Sequence, residues 1–195
     1  MTQLPPLVDT VATREVLHRV AEDVMAAEQF AAIHKLGLQA TGTGFATRWF
    51  PADDGERRLV VAGSELVRET RASSVREPIA GLDPRAAEVL YAWWQLGDRT
   101  LADVVLAAGE KVSPIVLWPE HFDIAVTVTL ASGASVNLGF SPGDDFSPEP
   151  YAYVGPWEPA VGPFWNAPFG AYRTYREIQS ADAASFLADG LAQLR

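Results

Sequence analysis

The chain is 195 residues long, holds no cysteine and carries 15 Lys+Arg against 25 Asp+Glu, a formal net charge of −10. Its length suits a single domain over residues 1–195, able to bury roughly 70% of its unfolded surface, and 48% hydrophobic with 21% charged residues is a globular composition. The lack of cysteine excludes disulfides, thiolate zinc sites, Fe–S clusters and cysteine nucleophiles, and the acidic balance argues against a nucleic-acid or anionic-membrane binder, because both need cationic surface.

The first residues, with Pro5, Pro6 and Asp9, lack the basic and apolar regions of a targeting segment, and no apolar run approaches the ~20 residues that span a bilayer. The expected setting is therefore cytoplasmic. Thr13 is placed to cap a helix carrying Val16, Leu17, Val20, Val24, Ala27 and Ala31, which Gly37 ends. A β-rich stretch follows, with strands over 38–41, 44–50, 57–62 and 65–70 and a tight turn at Gly63-Ser64. Asp83-Pro84 starts a helix with Ala87, Leu90, Tyr91 and Trp94 on one face, stopping near Gly97. One of the adjacent rings Trp93 and Trp94 is expected to pack inside and the other to lie near the surface. Asp98 is placed to cap a second short helix ending at Gly109.

The clearest strand runs over 122–130, where Phe122, Ile124, Val126, Val128 and Leu130 alternate with Asp123, Ala125, Thr127 and Thr129. After the three-residue loop Ala131-Ser132-Gly133, a second strand turns Val136, Leu138 and Phe140 to one face and Ser135, Asn137 and Gly139 to the other. Pairing Leu130 with Ala134 sets a register in which Thr127 faces Asn137, Asp123 faces Ser141 and His121 sits across from Gly143. Residues 151–155 suit another strand, and Ser180 or Asp182 begins a last helix with Phe186, Leu187, Leu191 and Leu194. Strands clustered between helices predict an α+β fold with a mainly antiparallel sheet and flanking helices.

The charge is not spread evenly. From Val112 to Tyr172, 61 residues contain no Lys or Arg but six acids: Glu120, Asp123, Asp144, Asp145, Glu149 and Glu158. Half of the 20 aromatic residues and seven of the 14 prolines fall between Phe140 and Tyr175. This segment has little regular structure and is too aromatic for a disordered linker, so it should wrap across the sheet.

On a regular strand His121 and Asp123 leave the same face, and the hairpin brings Asp144 and Asp145 near them. Such a cluster suits three chemistries. A small polar or cationic ligand can sit in a pocket lined by Trp118, Glu120, Asp144, Asp145, Glu149, Tyr151 and Trp157 around the histidine. His121 can serve as a general acid/base oriented by Asp123. His121, Asp123 and Asp144 can hold a divalent metal. A fourth reading docks a basic protein on the acidic aromatic surface. Against these stands a plain one: Asp123 orders the hairpin by accepting a hydrogen bond, Asp144 and Asp145 are turn residues, and the aromatic rings only pack.

Sharper motifs fail on mechanism. Gly139-Phe140-Ser141-Pro142-Gly143 has the G-x-S-x-G form, but Pro142 has no N–H to donate to an oxyanion. His18 and His34 are 16 apart and form no helix-face pair with each other; both read as surface or helix-end residues.

Four blocks resemble those of a family of uncharacterised actinobacterial proteins: Leu117-Trp118-Pro119-Glu120-His121-Phe122-Asp123, Gly139-Phe140-Ser141-Pro142-Gly143-Asp144-Asp145, Glu149-Pro150-Tyr151-x-Tyr153-Val154-Gly155-Pro156-Trp157 and Phe164-Trp165-Asn166-x-Pro168-Phe169-Gly170. Thr13-Arg14-x-x-Leu17-His18 is similar too, and the C-terminal block also resembles a larger domain-of-unknown-function family. The resemblance implies a single domain and brings no activity with it. The 13 arginines against two lysines fit a high-GC genome.

Overall fold

The computed structural model describes residues 4–53, 55–108, 111–179 and 182–195. Helix α1 (Val11–Arg19), a π-helical segment (Val20–Ala26) and α2 (Ala27–Ile33) follow one another directly. The helix begins ahead of Thr13, where Asp9 Oδ1 accepts a hydrogen bond from Val11 N at 3.0 Å. Thr13 is instead buried within α1, and its hydroxyl accepts from Asp83 N at 3.1 Å, tying this helix to the start of the later helix that begins at Pro84. The buried stripe is Leu17, Ala21, Met25 and Gln29, spaced by four. A regular α-helix would rotate that spacing off the core; the wider i→i+5 turns of the π segment compensate. The run ends at Ile33 with His34 left-handed, short of Gly37.

The strands are β1 (Leu38–Thr41), β2 (Gly44–Thr47), β3 (Phe50–Ala52), β4 (Gly55–Ala62), β5 (Glu65–Thr70), β6 (Ser74–Pro78), β7 (Lys111–Val112), β8 (Val116–Leu117), β9 (Ile124–Thr129), β10 (Ser135–Ser141), β11 (Tyr151–Pro156) and β12 (Ala171–Thr174). They form one 12-stranded sheet in the order β12-β11-β10-β9-β8-β1-β2-β4-β5-β6, with β3 on β4 and β7 on β9. The ladders are antiparallel. Helices α3 (Pro84–Ala108), α4 (Tyr175–Gln179) and α5 (Ala183–Gln193) complete an α+β fold. The β9–β10 ladder has the predicted register, with Thr127 opposite Asn137 and Leu130 N donating to Ala134 O.

Helix α3 begins at Asp83-Pro84, where Asp83 Oδ1 accepts from Arg85 N at 2.8 Å. It does not stop near Gly97 but runs on for 25 residues, so the two predicted helices are one; Gly109 lies outside the described residues. Gly97 serves packing rather than termination. A Cβ there would stand 2.7 Å from Ile124 Cγ2 and 2.9 Å from Phe140 Cγ, so the helix lies directly on β9 and β10. Trp93 and Trp94 are both fully buried, contrary to the expected split. Trp93 donates its Nε1 hydrogen to Ser141 O at 2.8 Å and packs against Phe140 and Tyr175. Burying each ring contributes roughly 4–6 kcal/mol of gross transfer free energy. Asp182 caps α5 by accepting from Ala184 N at 3.0 Å, while Ser180 lies outside the described residues. Among the described residues no helix is long and apolar enough to cross a membrane.

Candidate functional site

Strand alternation gives β10 and β11 two different faces. Val136, Leu138, Phe140, Ala152 and Val154 enter the core. Asn137, Ser141, Tyr151, Tyr153 and Gly155 turn the other way and line a cavity of about 960 Å³. That volume falls within the roughly 300–1,000 Å³ of small-molecule pockets. The segment before β9 supplies Glu120, His121 and Asp123, the loop after β10 supplies Asp144, Asp145 and Phe146, and Arg14, Glu15 and His18 of α1 form another wall.

Asp123 is the most enclosed acid of the site, only 8% exposed. Its Oδ2 accepts the hydroxyl hydrogen of Tyr153. This contact depends on Gly139, which pairs with Tyr153 across β10 and β11. A Cβ on Gly139 would stand 2.5 Å from Tyr153 Cζ, so the ring lies in the space that a side chain would fill. Asp123 Oδ1 is buried and has no hydrogen-bond partner. Burial pushes the Asp123 carboxyl above its ordinary value, and the Tyr153 hydroxyl and the His121 ring oppose that shift. The Tyr153 phenol is raised in turn, by burial first and by the Asp123 charge second. A second carboxylate–phenol pair lies beside the first. Tyr151 donates its hydroxyl hydrogen to Asp144 Oδ2 at 2.6 Å, while Asp144 Oδ1 accepts from Phe146 N at 2.9 Å and Ser147 N at 3.2 Å. Asp144 is thus both a turn residue and part of the cavity wall.

His121 and Asp123 converge by a different route from the predicted one. The β9 ladder begins at Ile124, paired with Phe140, so the register does not extend to Asp123 and Ser141. Phe122 is left-handed, with φ 55°. A non-glycine residue in that conformation costs roughly 1–2 kcal/mol, which burial of the Phe ring, about 1.5–3 kcal/mol, offsets. The ring stacks on His18 at 5.0 Å and meets Trp94 edge-on at 4.7 Å. Phe122 N donates to Trp118 O at 2.7 Å and Trp118 N to Asp123 O at 2.9 Å, closing the turn. With Phe122 turned into the core, His121 and Asp123 are both left at the cavity. Among the described residues no hydrogen bond or ion pair joins His121 to Asp123; the aspartate is held by Tyr153 instead.

Of the remaining candidates, Glu120, Asp145, Tyr151 and Trp157 line the cavity, and Trp157 reaches Asn137 Oδ1 with its Nε1 at 3.2 Å. Trp118 and Glu149 do not line it. Glu149 turns away to accept from Arg176 N at 3.0 Å and from Arg176 Nε at 3.3 Å. The aromatic segment packs largely on itself, Phe146 meeting Phe169 at 4.9 Å and Tyr172 at 5.0 Å. Among the described residues no three His, Cys, Asp or Glu side chains are grouped to hold a metal ion, so the His121, Asp123 and Asp144 metal set is not assembled. The serine of the G-x-S-x-G stretch is buried, and its hydroxyl accepts from Gly143 N at 3.1 Å.

Sequence reasoning missed the α1 wall. His18 is not a simple surface residue: its Nε2 donates to Pro119 O at 2.8 Å, and it lines the cavity. Arg14 lies one helical turn earlier, and that i, i+4 spacing was the available signal. Arg14 N donates to Thr10 O at 2.8 Å within the helix, but among the described residues its side chain makes no hydrogen bond or ion pair, and its Nη1 is buried without a partner. The basic residue absent from 112–172 is supplied from the other end of the chain. No protein-family model, curated protein or solved structure matches this chain.

Proposed function

We propose that the protein binds a small polar ligand with a cationic or hydrogen-donating group in this cavity. The observation that supports the reading best is Asp123: an enclosed carboxylate at the cavity whose Oδ1 lacks a hydrogen-bond partner. A polar group buried without a partner is destabilising, and a donor on a ligand relieves it. The rings of Tyr151, Tyr153, Phe169 and Trp157 share the cavity with Asp144, Asp145 and Glu120, a setting that suits a cation. These acids line a concavity rather than a flat patch, which favours a small molecule over a basic protein. Acid–base catalysis is the second reading, favoured by the upward shift of the Asp123 carboxyl; it assigns the proton to Asp123 and Tyr153 rather than to a His121 held by Asp123. The resemblance to an actinobacterial family adds no activity to either.

A thermal-shift panel of choline, ethanolamine, putrescine and arginine amide tests the binding reading. At least one of these raises the melting temperature of the wild type, and Asp123→Asn abolishes the shift while keeping the fold. If no probe shifts the wild type, or if Asp123→Asn responds as the wild type does, the reading is wrong.

A further inference from the structure

We infer that the ligand is a small zwitterion, its oxyanion held by Arg14 and its ammonium by Asp123. The inference rests on the binding reading above and narrows it. Two opposite charges share one cavity and do not pair with each other: among the described residues Arg14 makes no ion pair, and Asp123 has only the Tyr153 hydroxyl as a side-chain partner. A guanidinium stays charged at any pH a protein tolerates, and one buried in part without an acceptor destabilises the fold. Its planar fork matches the two oxygens of a carboxylate or a phosphate.

The loop after β10 is shaped around this guanidinium. Gly143 has φ 95°, and a Cβ there would stand 2.8 Å from Arg14 Nη1 and 2.6 Å from Pro148 O. Any other residue at 143 would intrude on the arginine. Glu15, Asp144 and Asp145 line the same cavity, yet among the described residues none of them pairs with the Arg14 side chain. Asp144 is already engaged by Tyr151, Phe146 and Ser147. An acidic cavity with one unpaired arginine therefore presents an anion receptor and a cation receptor together. The rings of Tyr151, Tyr153 and Phe169 share it and offer π faces to the ammonium.

Isothermal titration with matched probes tests this. Choline is compared with glycine betaine and phosphocholine, and ethanolamine with 4-aminobutyrate and phosphoethanolamine; acetate and inorganic phosphate serve as anions alone. In the wild type at least one zwitterion binds about tenfold or more tighter than its cation-only partner and than either anion. Arg14→Met removes that preference, and Asp123→Asn weakens zwitterion and cation alike. The better of the carboxylate and phosphate probes identifies the oxyanion. Because the Arg14 guanidinium has no partner within the fold among the described residues, Arg14→Met keeps or raises the melting temperature. If choline or ethanolamine binds as tightly as the zwitterions and Arg14→Met changes nothing, the zwitterion is refuted while the cation site stands. If none of the probes binds, or if the anions alone bind as well as the zwitterions and ignore Asp123→Asn, both readings fall.

Discussion

Removing the Tyr153 hydroxyl, by Tyr153→Phe, isolates the bond that holds Asp123. Oδ1 of this carboxylate has no hydrogen-bond partner, and Oδ2 depends on the phenol. The substitution therefore leaves an enclosed charge with no side-chain donor. A hydrogen bond to a charged group is worth about 1.5–3 kcal/mol and a neutral one about 0.5–1.5 kcal/mol. Tyr153→Phe should cost the former in the wild type while the carboxyl is ionised and the latter in the Asp123→Asn background, a coupling of about 1 kcal/mol. For a domain of this size the single substitution lowers Tm by roughly 3–12 °C. Acidification reduces the effect, because a protonated carboxyl no longer forms a charge-assisted bond. Urea unfolding followed by tryptophan fluorescence, over a series of pH values, supplies all the terms, with Trp93 and Trp94 as buried reporters. A cost below about 0.5 kcal/mol at every pH, or an equal cost in both backgrounds throughout the series, refutes the argument.

Asp123 also sets a pH dependence of stability. Its carboxyl is raised in the folded protein, mainly by burial, so over the interval from the ordinary aspartate value up to the raised one the native state holds more protons than the unfolded state. Stability contributed by this group is present below that interval and is lost as pH rises through it. The stability of Asp123→Asn relative to wild type, from melting curves taken at several pH values, should therefore increase with pH across the interval and then level off; a decrease contradicts the assignment. Gly97→Ala gives a sign test of the α3 packing. Alanine gains about 1 kcal/mol in a helix interior but here meets Ile124 and Phe140, an overpacking that costs about 1–3 kcal/mol. Thermal melting should show net destabilisation, and a higher Tm would mean that the helix does not press on β9 and β10 as described.

The sheet was legible where its information is local. Period-two alternation over 122–130 and 134–140, with the three-residue loop 131–133 between them, specifies both faces and the register that the ladder shows from Ile124 to Thr129. Strands β7 and β8 have two residues each and no periodicity to detect; β9 pairs with both. Gly97 misled because an isolated glycine in a helical pattern is compatible with termination and with close packing, and only the position of Phe140 decides between them. Phe122 misled for a related reason. Alternation assumes continuous extended backbone, whereas the chain reverses at a bulky residue whose ring is wanted in the core. The acidic side of the site was legible because its residues are close in sequence. Arg14 was not, because a residue more than a hundred positions away reaches the cavity only through the packing of α1.

The left-handed turn at Phe122 bears on how the cavity would exchange the proposed ligand. Its ring is clamped between His18, Phe45 and Trp94, so the His121–Asp123 segment cannot swing without unpacking the centre of the protein. A ligand of the kind proposed would meet a preorganised wall there. Association then forfeits little chain entropy in ordering a loop, which leaves more of the contact free energy as affinity. Differences in affinity among related ligands should accordingly lie mainly in how fast each one leaves.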